Sequence, residues 1–118
     1  MAKPGIVNIN NHYKGDTFDG IRYTILNSSD NLPIDLTAAT IKSQFRKSAK
    51  KGTVIKEVTD GVGITISDAV NGIFEIDSFI IDWEVSTYYY DIEITFSNGV
   101  VKTYIEGTLT VIQDITNG

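Results

Sequence analysis

Apolar and polar positions alternate with a period of two along most of the chain, and no stretch replaces that alternation with a capped stripe of helical spacing. The clearest case is "YYYDIEITFSNGVVKTYIEGTLTV", Tyr88 to Val111. Asn98-Gly99 at its centre predicts a hairpin with a two-residue type I′ turn, because that turn needs positive φ at both central positions and these residues tolerate it. With Ser97 opposite Val100, the pairs on one face are Phe96/Val101, Ile94/Thr103, Ile92/Ile105, Tyr90/Gly107 and Tyr88/Leu109, nearly all apolar or small. The other face carries Thr95/Lys102, Glu93/Tyr104, Asp91/Glu106 and Tyr89/Thr108. Gly107 falls opposite the bulky Tyr90, and a glycine inside a strand often marks the close approach of a neighbouring group.

The same alternation predicts strands at Ile6 to Tyr13, Phe18 to Leu26, Ala39 to Lys47, Thr53 to Thr59, Gly63 to Ser67, Gly72 to Asp77, Tyr88 to Phe96 and Val100 to Ile112, separated by segments of turn residues. "SFIIDWEVST", Ser78 to Thr87, fits a short strand, one helical turn, or both. Many short strands without intervening helices predict an all-β, single-domain antiparallel β-sandwich or barrel over residues 1–118. Tyr88 opens the penultimate strand, where a tyrosine can bond back to the corner before it; the alternative is a core ring with its hydroxyl in water.

A chain of 118 residues is long enough to bury roughly two-thirds of its unfolded surface without staples. The absence of cysteine removes disulfides and thiolate metal sites from consideration. No apolar run has signal-peptide or membrane-spanning length, so the expectation is synthesis in a cytoplasm and no membrane partner. The net charge of −5 hides an asymmetry. Residues 1–56 hold nine Lys or Arg against four acids, whereas residues 57–118 hold Lys102 alone against eleven acids. Overall acidity argues against nucleic acid as a partner.

Candidate chemistry is sparse. His12 is the sole histidine and has no nucleophile or carboxylate fixed to it by any motif, so no catalytic residue is assigned. "GDTFDG", Gly15 to Gly20, lacks the ligand alternation of a calcium loop and reads better as a turn, and no metal or cofactor is expected. Asp91 and Glu106 face each other across the hairpin, a like-charge pair that costs about 0.2–1 kcal/mol unless both splay into solvent, a cation sits there, or a basic side chain from another strand or subunit lies between them. "KSQFRKSAKKGTVIK" predicts a hairpin with Ile41, Ser43 and Phe45 facing inward, Lys42, Gln44 and Arg46 outward, and Ser48 to Gly52 at the tip. It is either a solvated loop or a contact surface.

The stretches "YKGDTFDGIRYTI", "LPIDLTAATIKSQFRK", "GITI", "NGIFEI" and "TYYYDIEITFSNGVVKTYIEGTLTVIQDIT", from about Tyr13 to Thr116, resemble small tailed-bacteriophage virion proteins with an immunoglobulin-like domain. They are similar to the amino-terminal domain of phage baseplate upper proteins. Ala38 stands where that pattern has a turn glycine, and Ile115 where it has valine. The resemblance implies an immunoglobulin-like β-sandwich serving as a non-enzymatic component of the virion, in the tail, baseplate, neck or head-fibre region. Other virion proteins are the implied partners, and a homo-oligomeric ring or fibre is open. The charge asymmetry suggests an interface in which Arg46, Lys47, Lys50 and Lys51 meet acids of a neighbour, with Glu84, Asp91, Glu93 and Glu106 as opposites. The rival reading is a carbohydrate- or receptor-binding module, for which Tyr89, Tyr104 and Trp83 are the aromatics at hand.

Overall fold

The computed structural model describes residues 5–113, the side chain of Asn10 excepted. Among them the chain forms β1 (Gly5–Ile6), β2 (Ile9–Tyr13), β3 (Thr17–Phe18), β4 (Ile21–Thr24), β5 (Thr40–Lys47) and β6 (Val54–Asp60). There follow β7 (Gly63–Asp68), β8 (Ile73–Ile76), β9 (Phe79–Ile80), β10 (Ser86–Thr95) and β11 (Val101–Ile112), with no helix among the described residues. The Ser78 to Thr87 segment thus takes the short-strand option. Ile115 and the rest of the chain end lie outside the described residues.

One sheet follows the order β1-β11-β10-β5-β6-β7-β8-β4, with β2 also against β11, while β3 and β9 make a small second sheet. The chain is all-β, but its pairing is mixed. β1 and β2 both run parallel to β11, and β6 runs parallel to β7. The uniformly antiparallel arrangement expected from the sequence is corrected at these three joints. At the β6–β7 joint the chain steps sideways instead of reversing: Thr59 N donates to Val62 O, Gly61 N donates to Ile64 O, and Gly61 and Gly63 take φ of 86° and 93°. The sheet curls on itself, because Tyr23 of β4, at one end of the order, donates its hydroxyl to that of Tyr90 on β10 at 2.9 Å.

The hairpin β10–β11 keeps its predicted register over most of its length: Tyr88/Leu109, Tyr89/Thr108, Tyr90/Gly107, Asp91/Glu106 and Ile92/Ile105 all pair. Next to the turn the register differs by one, with Glu93 opposite Thr103 and Ile94 opposite Lys102. The reason is the loop. Gly99 alone takes a positive φ, 89°, and Gly99 N donates to Phe96 O while Phe96 N donates to Val100 O. That is a three-residue loop closed by a left-handed glycine, not the two-residue turn that Asn98-Gly99 suggested. A bulge at Tyr104 absorbs the extra residue and restores the pairing that buries Tyr88, Tyr90, Ile92 and Ile94 on one face.

The expected core forms. Phe45, Tyr90, Ile92, Ile94, Ile105 and Leu109 are all buried in one apolar cluster, with the Phe45 and Tyr90 rings stacked at 5.2 Å. Tyr88 is 1% exposed and donates its hydroxyl to Glu84 O at 2.7 Å, so it bonds back to the corner before its strand. Trp83 packs against Phe45, Phe79 and Tyr88.

Candidate functional site

The two-residue period of β5 buries Ile41, Ser43 and Phe45 and turns Lys42, Gln44 and Arg46 to the outer face, as expected. β10 lies between β5 and β11, and β1 lies along the far side of β11, so side chains from four strands line up in rows on that face. One row runs Ile6, Glu106, Asp91. The next runs Asn8, Thr108, Tyr89, Arg46, with Asn8 Oδ1 accepting from Thr108 N at 3.1 Å. A cleft of about 230 Å³ lies over these rows, completed by Gln44 and by Lys50 from the tip of the β5–β6 hairpin.

The charges in the cleft already have partners. Lys50 Nζ is 3.5 Å from Glu106 Oε1. Arg46 donates to Gln44 Oε1 and to Gly52 O, both at 2.8 Å, which also holds the hairpin tip against its own strand. Asp91 is opposite Glu106 in the hairpin register. Burial pushes its carboxyl above the usual range; a bond from the Gln44 backbone N–H works against that rise, and nearby Glu93 adds to it.

Of the residues singled out from the sequence, Arg46, Lys50, Asp91 and Glu106 come together here. Glu93 lies on the same strand face, opposite Lys42. Lys47 and Glu84 pair elsewhere, at 2.9 Å, each shifting the other toward its charged form: the hydrogen bond raises the lysine pKa and lowers the glutamate's. Lys51 is exposed. The basic and acidic groups that the sequence suggested would meet across two subunits are therefore matched, for Lys47 and Lys50, within one chain. The aromatics of the rival reading do not gather on one face: Tyr89 lines the cleft, Tyr104 packs on Phe96, and Trp83 packs on the core rings.

Sequence reasoning missed Asn8 and Ile6, and placed Gln44 on the outer face of its strand without assigning it to a site. The first two come from β1 and the residues after it, whose parallel pairing with β11 leaves no local signature; Gly107 was the one hint. A Cβ there would lie 2.0 Å from Val7 O, so the glycine is what lets the first strand lie close, and Tyr90 donates its hydroxyl to that same oxygen at 2.6 Å. His12 Nε2 is 2.9 Å from Asp16 O, tying the turn after β2. No cluster of three or more His, Cys, Asp or Glu placed to hold a metal occurs among the described residues.

No family model matches the chain, and no curated protein matches it. Among solved structures, the Drosophila OTK extracellular domains 3-5 are similar to it at 18% identity with a TM-score of 0.37, over 94% of this chain and 34% of that one. The chain thus spans about a third of the length of that structure, and a likeness at this score carries no argument.

Proposed function

We propose that this chain is a non-enzymatic structural component of a tailed-bacteriophage virion, assembling through protein–protein contacts, and that its fold is an immunoglobulin-like β-sandwich. The observation that carries the reading is where particular residues of the resembling stretches fall: Gly15 and Ala38 at turns, Tyr88 at a corner and Gly107 at a close approach. Gly15 N donates to Ile81 O near the start of the first motif. In "DLTAA", Thr37 N donates to Asp35 Oδ1 and Ala38 takes φ 61°, the left-handed conformation for which the family pattern keeps a glycine. Tyr88 and Gly107 do the work described above. Three features support the sandwich: only the Thr59/Gly63 and Asp60/Ile64 pairs join β6 to β7, the hydroxyls of Tyr23 and Tyr90 meet across the curl, and Tyr88 bonds to its corner.

Immunogold labelling with antibodies to this chain, on purified particles of the virus that encodes it, is expected to decorate one part of the tail, baseplate, neck or head-fibre region. Purified particles free of the chain would overturn the proposal. For the basic hairpin, Lys51→Glu is the cleaner probe of an intermolecular contact. Reversing Lys47 or Lys50 would set like charges against Glu84 and Glu106 in the same chain.

A further inference from the structure

Among the described residues, the outer-face cleft brings together an open cavity, an aromatic side chain and a mixed set of hydrogen-bonding groups. Its volume of about 230 Å³ falls below the range of roughly 300–1,000 Å³ usual for drug-sized ligands, so its occupant is small. β10 is paired on both sides and β1 pairs with β11 at Ile105 and Glu106, so the edge left open beside the cleft is that of β1, two residues long and too short to hold an extended peptide by a strand ladder.

Charge narrows the class. Two basic and two acidic side chains line the cleft, Lys50 is held by Glu106, and Arg46 is held by Gln44 and Gly52. A charged ligand has to break one of these pairs or sit beside a like charge. Hydrogen-bonding capacity nevertheless remains. Arg46 has five N–H donors and uses two; Asn8 spends its Oδ1 on Thr108 and keeps its two amide donors; Asp91 has lone pairs beyond the one that accepts from Gln44 N–H. Donors and acceptors thus line the cleft together with apolar surface from Ile6 and Tyr89. A ligand whose every polar group both donates and accepts, and whose ring carries an apolar C–H face, satisfies all of this.

We infer that the cleft formed by Asn8, Arg46, Tyr89, Asp91 and Thr108 binds a neutral saccharide unit, one sugar ring resting on Tyr89 with its hydroxyls on the surrounding polar groups. The inference is independent of where the chain resides, so its failure leaves the virion reading untouched, and the reverse. It also differs from a flat aromatic platform, because Trp83 and Tyr104 take no part.

The test is an amide-shift titration of the full chain with glucose, galactose, mannose and N-acetylglucosamine, run in parallel with butylammonium and with a neutral blocked dipeptide. At least one sugar is expected to bind with millimolar affinity and to shift the amides of Tyr89, Asp91 and Thr108. Tyr89→Ala and Asp91→Ala are each expected to weaken it roughly tenfold or more, the loss of a stacking surface and of a charged acceptor respectively. Asp91→Asn keeps an acceptor without the charge and is expected to retain most of the affinity, whereas recognition of a cation would lose it entirely. Unfolding midpoints of the three variants, measured alongside, separate lost binding from lost structure. The inference is overturned if none of the sugars binds, if binding ignores both alanine variants while they remain folded, or if butylammonium or the dipeptide shifts the cleft more strongly than any sugar.

Discussion

The two strands that flank the candidate cleft on its β11 side are held by different physics. β10 and β11 pair along almost their whole length, and their inner face is sealed in the core. The first segment, Gly5 to Tyr13, touches the same β11 but lies at the sheet's edge, with Ile6 64% exposed. Discrete hydrogen bonds locate it: Val7 N to Glu106 O, Tyr90 hydroxyl to Val7 O, and Asn8 Oδ1 from Thr108. Burial is non-directional and adds up over many atoms, so the hairpin tolerates a shifted turn by making a bulge. At Val7 and Asn8 the directional contacts tolerate no such shift, because each depends on one atom being in one place, whereas farther along β2 meets β11 through an irregularity between Leu109 and Val111. The hairpin is robust in register, and the first strand is precise in position.

The largest test of that contrast is Ile92→Ala. Ile92 is fully buried at the centre of the hairpin, and removing its side chain is expected to cost roughly 2–5 kcal/mol, a large share of a domain's stability. Chemical denaturation should show one cooperative transition moved to much lower denaturant. A midpoint close to the parent's would mean that the hairpin face is not the main source of stability.

Gly107→Ala should act on the other half of the comparison. The added Cβ meets the Val7 carbonyl at 2.0 Å and a Tyr90 ring carbon at 3.0 Å, so the first strand must move away from β11. A cost of about 1–3 kcal/mol is expected, typical of overpacking. The distinctive sign is local: hydrogen exchange at Val7 and Thr108 should accelerate more than at Ile92 or Ile94. Uniform acceleration would show that the first strand and the hairpin open together.

This division also explains what could be read in advance. Six of the eight expected strands, the inner face of β5, the tyrosine corner and the Asp91/Glu106 pairing follow from a two-residue period and from local turn chemistry, both of which are written in neighbouring residues; the expected strands Ile6 to Tyr13 and Phe18 to Leu26 are each broken in two, as β1 and β2 and as β3 and β4. The parallel joints of β1 and β2 with β11 are not local. Nothing near Ile6 says that it will lie beside Glu106, about a hundred positions on, and without that strand the cleft lacks one wall. The three-residue loop was missed for a smaller reason: Ser97-Asn98-Gly99 and Asn98-Gly99 both satisfy hairpin chemistry, and only the Tyr104 bulge reconciles the longer one with the core. The charge asymmetry was legible, but its partners were not, because strands from both halves of the chain interleave.

Ala38→Gly is expected to stabilise the chain. Ala38 is exposed and takes φ 61°, which strains any residue with a Cβ by about 1–2 kcal/mol, while glycine's extra freedom in the unfolded chain offsets part of the gain. A net gain of about 1 kcal/mol, and a higher unfolding midpoint, is the expected outcome. No gain would indicate that the turn relaxes at little cost.

The smallest effect lies at the seam where the two regions meet. Asp91 is partly buried, and its carboxyl sits above the usual range mainly because of that burial. Between its unfolded and folded pKa the native state keeps a proton that the unfolded chain has released. Stability contributed by this group therefore falls as pH rises through that window, and at neutral pH the ionised carboxylate is a net cost. Asp91→Asn removes the charge and keeps an acceptor for the Gln44 N–H, so the variant should be slightly more stable than the parent at neutral pH. The difference should close as pH falls through the carboxylate range, where the parent becomes neutral too. Glu84 gives the opposite sign: Lys47 holds its carboxyl low, so its contribution is present at neutral pH and is lost on acidification through that lowered pKa. Denaturation midpoints of Asp91→Asn and Glu84→Gln across the acid range should thus diverge from the parent in opposite directions at neutral pH and converge with it in acid. If Asp91→Asn is less stable than the parent at neutral pH, the charge contacts of Asp91 with Arg46 and Lys42 outweigh its burial.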